Sequence, residues 1–370
     1  MIYLELYVKD RSFKTIGVID EYTSLIWTKR YWEYGDFEIY VHANIDLLNV
    51  LQIDNYICRN DDDTVMIIEK IQITTDAESG NFFVVTGRSA ESILERRVIT
   101  KHTWSSNFPS TLCRGLISNE FMNNSGDSNR IVSELKKITD TITGQTSSTI
   151  TYRNFGETVY NAVFGICKQY GLSVKIVYDS DLDGFSIIIW QGLDRTDSQT
   201  KNSQVVFSPE FDNLVNSEYL IDYTNLKTEA FVAGAGEGNA RITQWRFAGY
   251  KGGYGLSGID RREMYVDARD ISKTDDEGQE ISYAEYIPML SARGDEKLSE
   301  QMISNGFSGV VESGVQFVYK KDWNLGDIVQ ISNEYGISGR ARILEIIESD
   351  DTAGYKITPT LSDWEVNCCD

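Results

Sequence analysis

The sequence predicts a β-rich α+β protein in which two similar sheet modules flank an α/β insert. Three observations carry that prediction. Apolar and polar residues alternate over short runs at both ends of the chain, the period of a half-buried strand. Aromatics make up 12% of the 370 residues, with 21 tyrosines, a composition that favours strands. And one pattern occurs twice. Residues 54–60 (DNYICRN) lead into 65–71 (VMIIEKI), an acidic stretch ending at Gly80, and then 82–85 (FFVV). Residues 327–333 (DIVQISN) lead into 341–347 (ARILEII), an acidic stretch ending at Gly354, and then 355–357 (YKI). The matched positions are Asp54/Asp327, Asn60/Asn333, Glu69/Glu345 and Gly80/Gly354. A β-pattern repeated at long range marks a repeated structural part.

Residues 1–98 read as strands at 3–8, 14–19, 24–31 and 37–41, with Gly35-Asp36 in a turn. Residues 45–51 have the spacing of a short helix, with Asn44 or Asp46 near its start, and 90–97 form a second helical piece behind Ser89. Residues 99–203 change character. A helix is expected over 109–121, with Leu112, Leu116, Ile117 and Phe121 on one face. The polar 123–129 is a loop, and the Thr/Ser-rich 139–149 a mobile stretch. A second helix is expected over 157–170, stopped by Gly171. Strands 173–178 and 185–190 make a hairpin. Residues 204–370 return to strands, at 205–207, 218–223, 229–233, 241–247, 264–266, 315–319, 328–331, 341–347 and 355–359. A helix over 283–305 is expected to break or kink at Pro288 and Gly294. Strands near 204–224 are expected to complete the first module.

Composition narrows the function. The formal charge of −21 argues against tight nucleic-acid binding, which needs clustered lysine and arginine. Five cysteines, two of them adjacent as Cys368-Cys369, do not suggest a disulfide framework and fit folding in a reducing cytoplasm. Two histidines, one of them His102, leave little for His-rich metal sites or Ser-His-Asp chemistry. The first residues carry no basic leader segment. No apolar run nears the ~20 residues that span a bilayer, so no membrane partner is expected.

No motif predicts catalysis. Gly234-Ala235-Gly236-Glu237-Gly238 follows a strand, but the sixth position of a dinucleotide fingerprint is Asn239 and no helix pattern follows, so it reads as a turn. Asp179-Ser180-Asp181-Leu182-Asp183-Gly184 matches the opening of a calcium loop, yet its twelfth position is Trp190 rather than glutamate, and a hairpin turn is expected. Glu263 and Asp267 read as solvated strand charges, Cys167 as a buried structural thiol, and Trp245, Arg246 and Tyr250 as wall and surface. No catalytic, cofactor-binding or metal-binding residue is assigned, and no cofactor.

Three segments together resemble a known family. They are Trp27-Thr28-Lys29-Arg30-Tyr31 leading to Gly35-Asp36-Phe37-Glu38, then the run 85–97 (VTGRSAESILERR), and Leu325-Gly326-Asp327-Ile328-Val329 with its following strands. Their order resembles bacteriophage tail hub proteins of the siphovirus baseplate type, similar to the central hubs of contractile tails. The turn from Val232 to Arg241 looks like that family's mid-chain turn. The resemblance implies two tail-tube-like β-barrel domains, residues 1–98 and 204–370, with an inserted α/β domain at 99–203. It also implies a homotrimer whose six barrels imitate a hexamer, joining a hexameric tail tube or distal tail protein to a threefold tip, fibre or spike. DNA would pass through the lumen without specific binding, and an acidic wall would keep it from adhering. The expected location is the virion tail, after synthesis in the host bacterial cytoplasm. The chain stops at Asp370, so the expectation is a hub with no enzyme attached. The alternative is a carbohydrate-active or glycan-binding tail-tip protein, which needs a carboxylate pair in a cleft or a row of exposed aromatics.

Overall fold

The computed structural model describes residues 4–363, apart from 77–79, 101–102, 124–125, 143–148, 155, 249–255, 275–277, 302–303, 312–315 and 336–337. His102, Tyr250, Cys368, Cys369 and the centre of the Thr/Ser-rich stretch therefore lie outside the described residues.

The first segment contains β1 (Leu6–Lys9), β2 (Thr15–Ile19), β3 (Ser24–Arg30), β4 (Asp36–His42), α1 (Ile45–Val50), β5 (Tyr56–Arg59), β6 (Val65–Asp76) and β7 (Gly80–Ser89). The Asn44 side chain caps α1 by accepting the Leu47 N–H at 2.8 Å. Residues Ala90–Arg96 form a 3₁₀ helix. The start of β6 is apolar without interruption because it is covered on both faces. Met66 and Ile68 pack with Leu6, Trp27 and Phe37, while Val65 and Ile67 point into the core of the insert.

The insert holds β8 (Thr103–Asn107), α2 (Pro109–Ile117), β9 (Leu135–Asp140), β10 (Ile150–Asn154), α3 (Val159–Gln169), β11 (Ser173–Asp179) and β12 (Gly184–Trp190). Helix α2 runs into a π-helical turn at Ser118–Met122. Thr158 caps α3, and Gly171, at φ 65°, ends it as expected. Strand β12 pairs antiparallel with β11 and parallel with β9. Both helices pack on this sheet through Leu112, Leu116, Val163 and Ile166 against Val174, Ile187 and Ile189.

The last segment holds β13 (Val206–Phe207), β14 (Leu214–Asp222), β15 (Glu229–Ala233), β16 (Thr243–Phe247), β17 (Glu263–Asp267), α4 (Tyr283–Ser299), β18 (Ser304–Val311), β19 (Ile328–Ser332), β20 (Ser338–Asp351) and β21 (Gly354–Asp363). Two expectations change here. Helix α4 runs through Pro288 and Gly294 without interruption, then ends at Ser299, so 304–311 is a strand. Gly294 is where α4 touches β15 and β16: a Cβ there would stand 2.7 Å from Val232 and 2.5 Å from Arg246. The strands at 206–207 and 214–222 pair with β19 and β18, not with strands of residues 1–98.

The two halves meet in one sheet. Its strand order is β13-β19-β20-β3-β4-β7-β6-β5-β1-β2, with β21 on β20. The junction is β3 against β20, antiparallel from Glu345↔Arg30 to Asp351↔Ser24. Among the described residues this sheet does not close on itself, so the expected pair of barrels takes the form of one open, shared sheet.

The repeat is a repeat of hydrogen bonding. β5-β6-β7 and β19-β20-β21 are antiparallel meanders with the same bulge, at Glu69 and at Leu344, each seven residues before the hairpin's last pair, Asp76↔Gly80 or Asp351↔Gly354. The Asp54 N–H donates to Ile68 O at 2.9 Å, and Gly326 N–H to Ile343 O at 2.8 Å. The Ile68 N–H returns to Asn55 O, and Ile343 N–H to Asp327 O, both at 2.9 Å. The ladder corrects three matched pairs by one residue. Asp54 corresponds to Gly326, Asp327 to Asn55, Asn60 to Ser332, Glu69 to Leu344, and Glu345 to Lys70. Only Gly80/Gly354 keeps its match, with φ 93° and 103°. Asp54 and Gly326 both adopt positive φ, 67° and 81°. A Cβ on Gly326 would stand 2.3 Å from the Tyr31 ring. Gly326→Ala should therefore cost about 1–3 kcal/mol of stability, read as a lower urea midpoint, whereas Asp54→Gly should be near neutral.

Candidate functional site

The feature built most heavily is the junction between the repeats. Along one edge, β20 pairs first with β19 and then, past the Leu344 bulge, with β3. Tyr31 sits at the changeover and donates its N–H to Leu344 O at 2.8 Å. Its buried hydroxyl donates to Gly171 O at 2.9 Å and accepts the Gly192 N–H at 3.2 Å. The Trp190 ring meets it edge-on at 5.1 Å, and the Arg342 guanidinium lies 5.1 Å from its centroid. Burial pushes the Tyr31 phenol up to about 12, so it stays a neutral donor. Through this one side chain the first module, the insert and the second module touch.

Beside it lies a network of three cations and three carboxylates. The Arg59 guanidinium forks onto Asp61 at 2.8 and 2.7 Å and reaches Glu348 at 2.7 Å. Lys29 bonds Asp62 and lies 3.1 Å from Glu348, and Lys320 reaches Asp61 at 2.9 Å and Asp62 at 3.2 Å. Tyr355 donates its hydroxyl to Glu348 at 2.5 Å, and Arg59 lies over the Trp27 ring. The Arg59 and Glu348 side chains have no exposed surface. Burial opposes charge on Glu348 and Asp62, but Lys29, with Arg59 on Glu348 and Lys320 on Asp62, overcomes it and holds both below the usual carboxylate range. Lys29 stays charged well above its ordinary range, since Asp62 and Glu348 outweigh its burial. A cleft of about 700 Å³ opens at this network. Of the carboxylates lining it, Asp61, Asp62, Asp63 and Asp327 are each held by a cation, whereas the buried Glu91 accepts the Ile176 N–H at 2.7 Å and is raised by burial.

The residues singled out in the sequence are placed elsewhere. The glycine-rich turn is filled from within the chain: Arg241 donates to Gly234 O at 3.0 Å, and Ala235 N–H donates to the Tyr286 hydroxyl. Asp179 accepts the Asp181 N–H and the Ser186 hydroxyl, shaping a hairpin turn. Among the described residues no cluster of His, Cys, Asp and Glu has metal-site geometry. Cys167 lies 4.0 Å from Cys113 in the core, and that contact together with burial holds its thiol protonated. Trp245 packs between Phe231 and Arg261, and Arg246 forks onto Asp295. Glu263 pairs with Arg261. Asp267 pairs with Arg269 and Arg241, and the Arg269 hydrogen bond first among them lowers it to about 2. Sequence reasoning missed the network of Lys29, Arg59, Asp62 and Glu348. No local pattern marks it: Glu348 leads into Ser349-Asp350-Asp351 and Lys29 stands beside Arg30, as residues on a solvent face do.

Comparison with known proteins places this architecture. A family model described as Siphovirus ReqiPepy6 Gp37-like protein matches residues 4–361. Among solved structures, a tail protein from Neisseria meningitidis MC58 shares the fold at TM-score 0.59 and 11% identity, covering 98% of this chain and 97% of its own. The 43 kDa tail protein of prophage MuSo2 from Shewanella oneidensis aligns at 0.58 and 13%, over 97% and 98%. Prophage tail protein gp18 from Listeria monocytogenes aligns at 0.53 and 12%, over 96% and 94%. No curated protein matches the sequence.

Proposed function

The chain belongs to the family of Siphovirus ReqiPepy6 Gp37-like proteins, and from that membership we propose that it is a structural hub of a phage tail tip or baseplate. Three copies form a ring with pseudo-sixfold symmetry, which joins a hexameric tail tube to a threefold tip and surrounds the path of the DNA. Residues 1–98 and 204–370 act as the two tube-like modules, and 99–203 as an outrigger packed on the first. The hub has no catalytic role, and its partners are itself, the tube or distal tail protein above, and a fibre or spike below.

One observation carries this reading: the chain contains two copies of the same bulged meander, already joined edge to edge by β3 and β20. A chain that docks one repeat on the other by a heterologous contact has the element from which closed rings are built. The fold shared with tail proteins over nearly the whole of both chains supports it. The buried ions at the junction fix the angle between repeats, which a closed ring requires. Light scattering on the purified protein should give three chain masses, and electron-microscope averages should show six similar lobes around a hole. A monomer, or a twofold dimer, at every concentration rejects the ring.

A further inference from the structure

The junction within the chain specifies the junction between chains. In the second repeat the outer edge of β20 beyond its bulge is covered by β3. In the first repeat the matching edge of β6, from Lys70 to Asp76, has no strand partner among the described residues. The exposure differs accordingly. Glu348 on β20 is 1% exposed, while Ile73, its counterpart on β6, is 52% exposed. An apolar residue on an open strand edge invites pairing with another chain unless something covers it.

The covering strand is identified by the same correspondence. In the first repeat the order outward from the bulged strand is β6-β7-β4-β3. In the second, β20 is followed by β21, β18 lies beside β21, and β18 pairs antiparallel with β14, as β4 does with β3. Strand β14 thus holds the place of β3, and its outer edge also lacks a strand partner among the described residues. One uncovered acceptor edge and one uncovered donor strand, at matching places in the two repeats, remain.

Resting on the ring reading above, we propose that the β6 edge from Lys70 to Asp76 receives strand β14 of a second copy of this chain, antiparallel, as β20 receives β3. The contact is heterologous, so repeating it passes around the ring, and three copies return to the first. The amides that bridge the copies follow from alternation. Tyr31 N–H donates to Leu344 O just outside the Glu345↔Arg30 pair, which puts the N–H groups of Ile346, Glu348 and Asp350 on the β3 side. Their counterparts on β6 are Ile71, Ile73 and Thr75.

Two measurements test this. Ile73→Pro removes one outward N–H while sparing the β6–β7 ladder. It should turn the trimer into a monomer with an unchanged circular dichroism spectrum, and a trimeric I73P overturns the proposal. Residue-resolved hydrogen exchange on the unaltered protein decides the matter should I73P fail to fold. The amides of Ile71, Ile73 and Thr75 should exchange about 100-fold or more slowly in the assembled form than in diluted monomer, the protection expected of a closed ladder. If the trimer forms and these amides exchange equally fast in both, the edge assignment falls and the ring stands. If no trimer forms at any concentration, the ring falls and the edge assignment with it.

Discussion

Glu348→Ala should destabilise the protein by about 3–5 kcal/mol, because it leaves the fully buried Arg59 and the largely buried Lys29 short of a counter-charge. The two cations were desolvated when the repeats docked, and Glu348 is the carboxylate they share. Asp61 and Asp62 keep part of the field, which holds the loss within that range rather than above it. Tyr355 also loses the acceptor of its hydroxyl. The readout is the urea midpoint, with exchange at β3 and the distal half of β20 as the local measure. The network also sets a pH window. Glu348 and Asp62 have folded values below their unfolded ones, so their contribution is complete above about pH 4 and is lost as pH falls below it through the folded values. Lys29 is shifted upward, so its contribution is complete below about pH 10 and is lost only as pH rises through the folded value. Thermal midpoints measured against pH should therefore fall steeply on the acid side in the wild type and less steeply in E348A.

Asp327→Ala should cost a similar amount, about 3–5 kcal/mol, at a different seam. Asp327 is 2% exposed and accepts the Leu193 N–H at 2.8 Å, the Arg195 Nε at 2.6 Å and the Asn324 N–H at 3.0 Å. Removing it strands a buried guanidinium and two backbone donors. The segment leaving the insert is otherwise held to β19 by two backbone bonds, Ile328 N–H to Leu193 O and Arg195 N–H to Ile328 O. The variant should therefore be cut faster by protease between residues 194 and 202 than anywhere in β6 or β20. Equal protection there in variant and wild type would show that the backbone bonds suffice.

The local elements were legible because each is written in local chemistry. The alternation of 37–41, the Asn44 cap and the Gly171 stop all appear where expected. Strands β8, β9 and β10 were not, because runs such as TWSSN and LKKITD carry no apolar–polar alternation in the sequence. The repeat was visible while its register was not. A single bulge residue at Glu69 and Leu344, and a left-handed residue that is aspartate in one copy and glycine in the other, decide which positions correspond. Neither leaves a mark in composition. The junction was invisible for another reason: nothing in Ser24–Arg30 announces that its partner is β20. The buried charges followed the same fate, since Lys29 and Glu348 look like surface residues until the two strands are placed together.

That pairing has a consequence for how the molecule is made. Arg30 and Glu345 are 315 residues apart. At the ~5–20 residues per second of ribosomal synthesis, Ser24–Arg30 waits roughly 15–60 s for its mate to emerge. During that interval β3, paired on one side with β4, leaves its other edge open. Messages cut short before codon 345 should therefore yield insoluble fragments, while in the finished polypeptide β20 covers that edge.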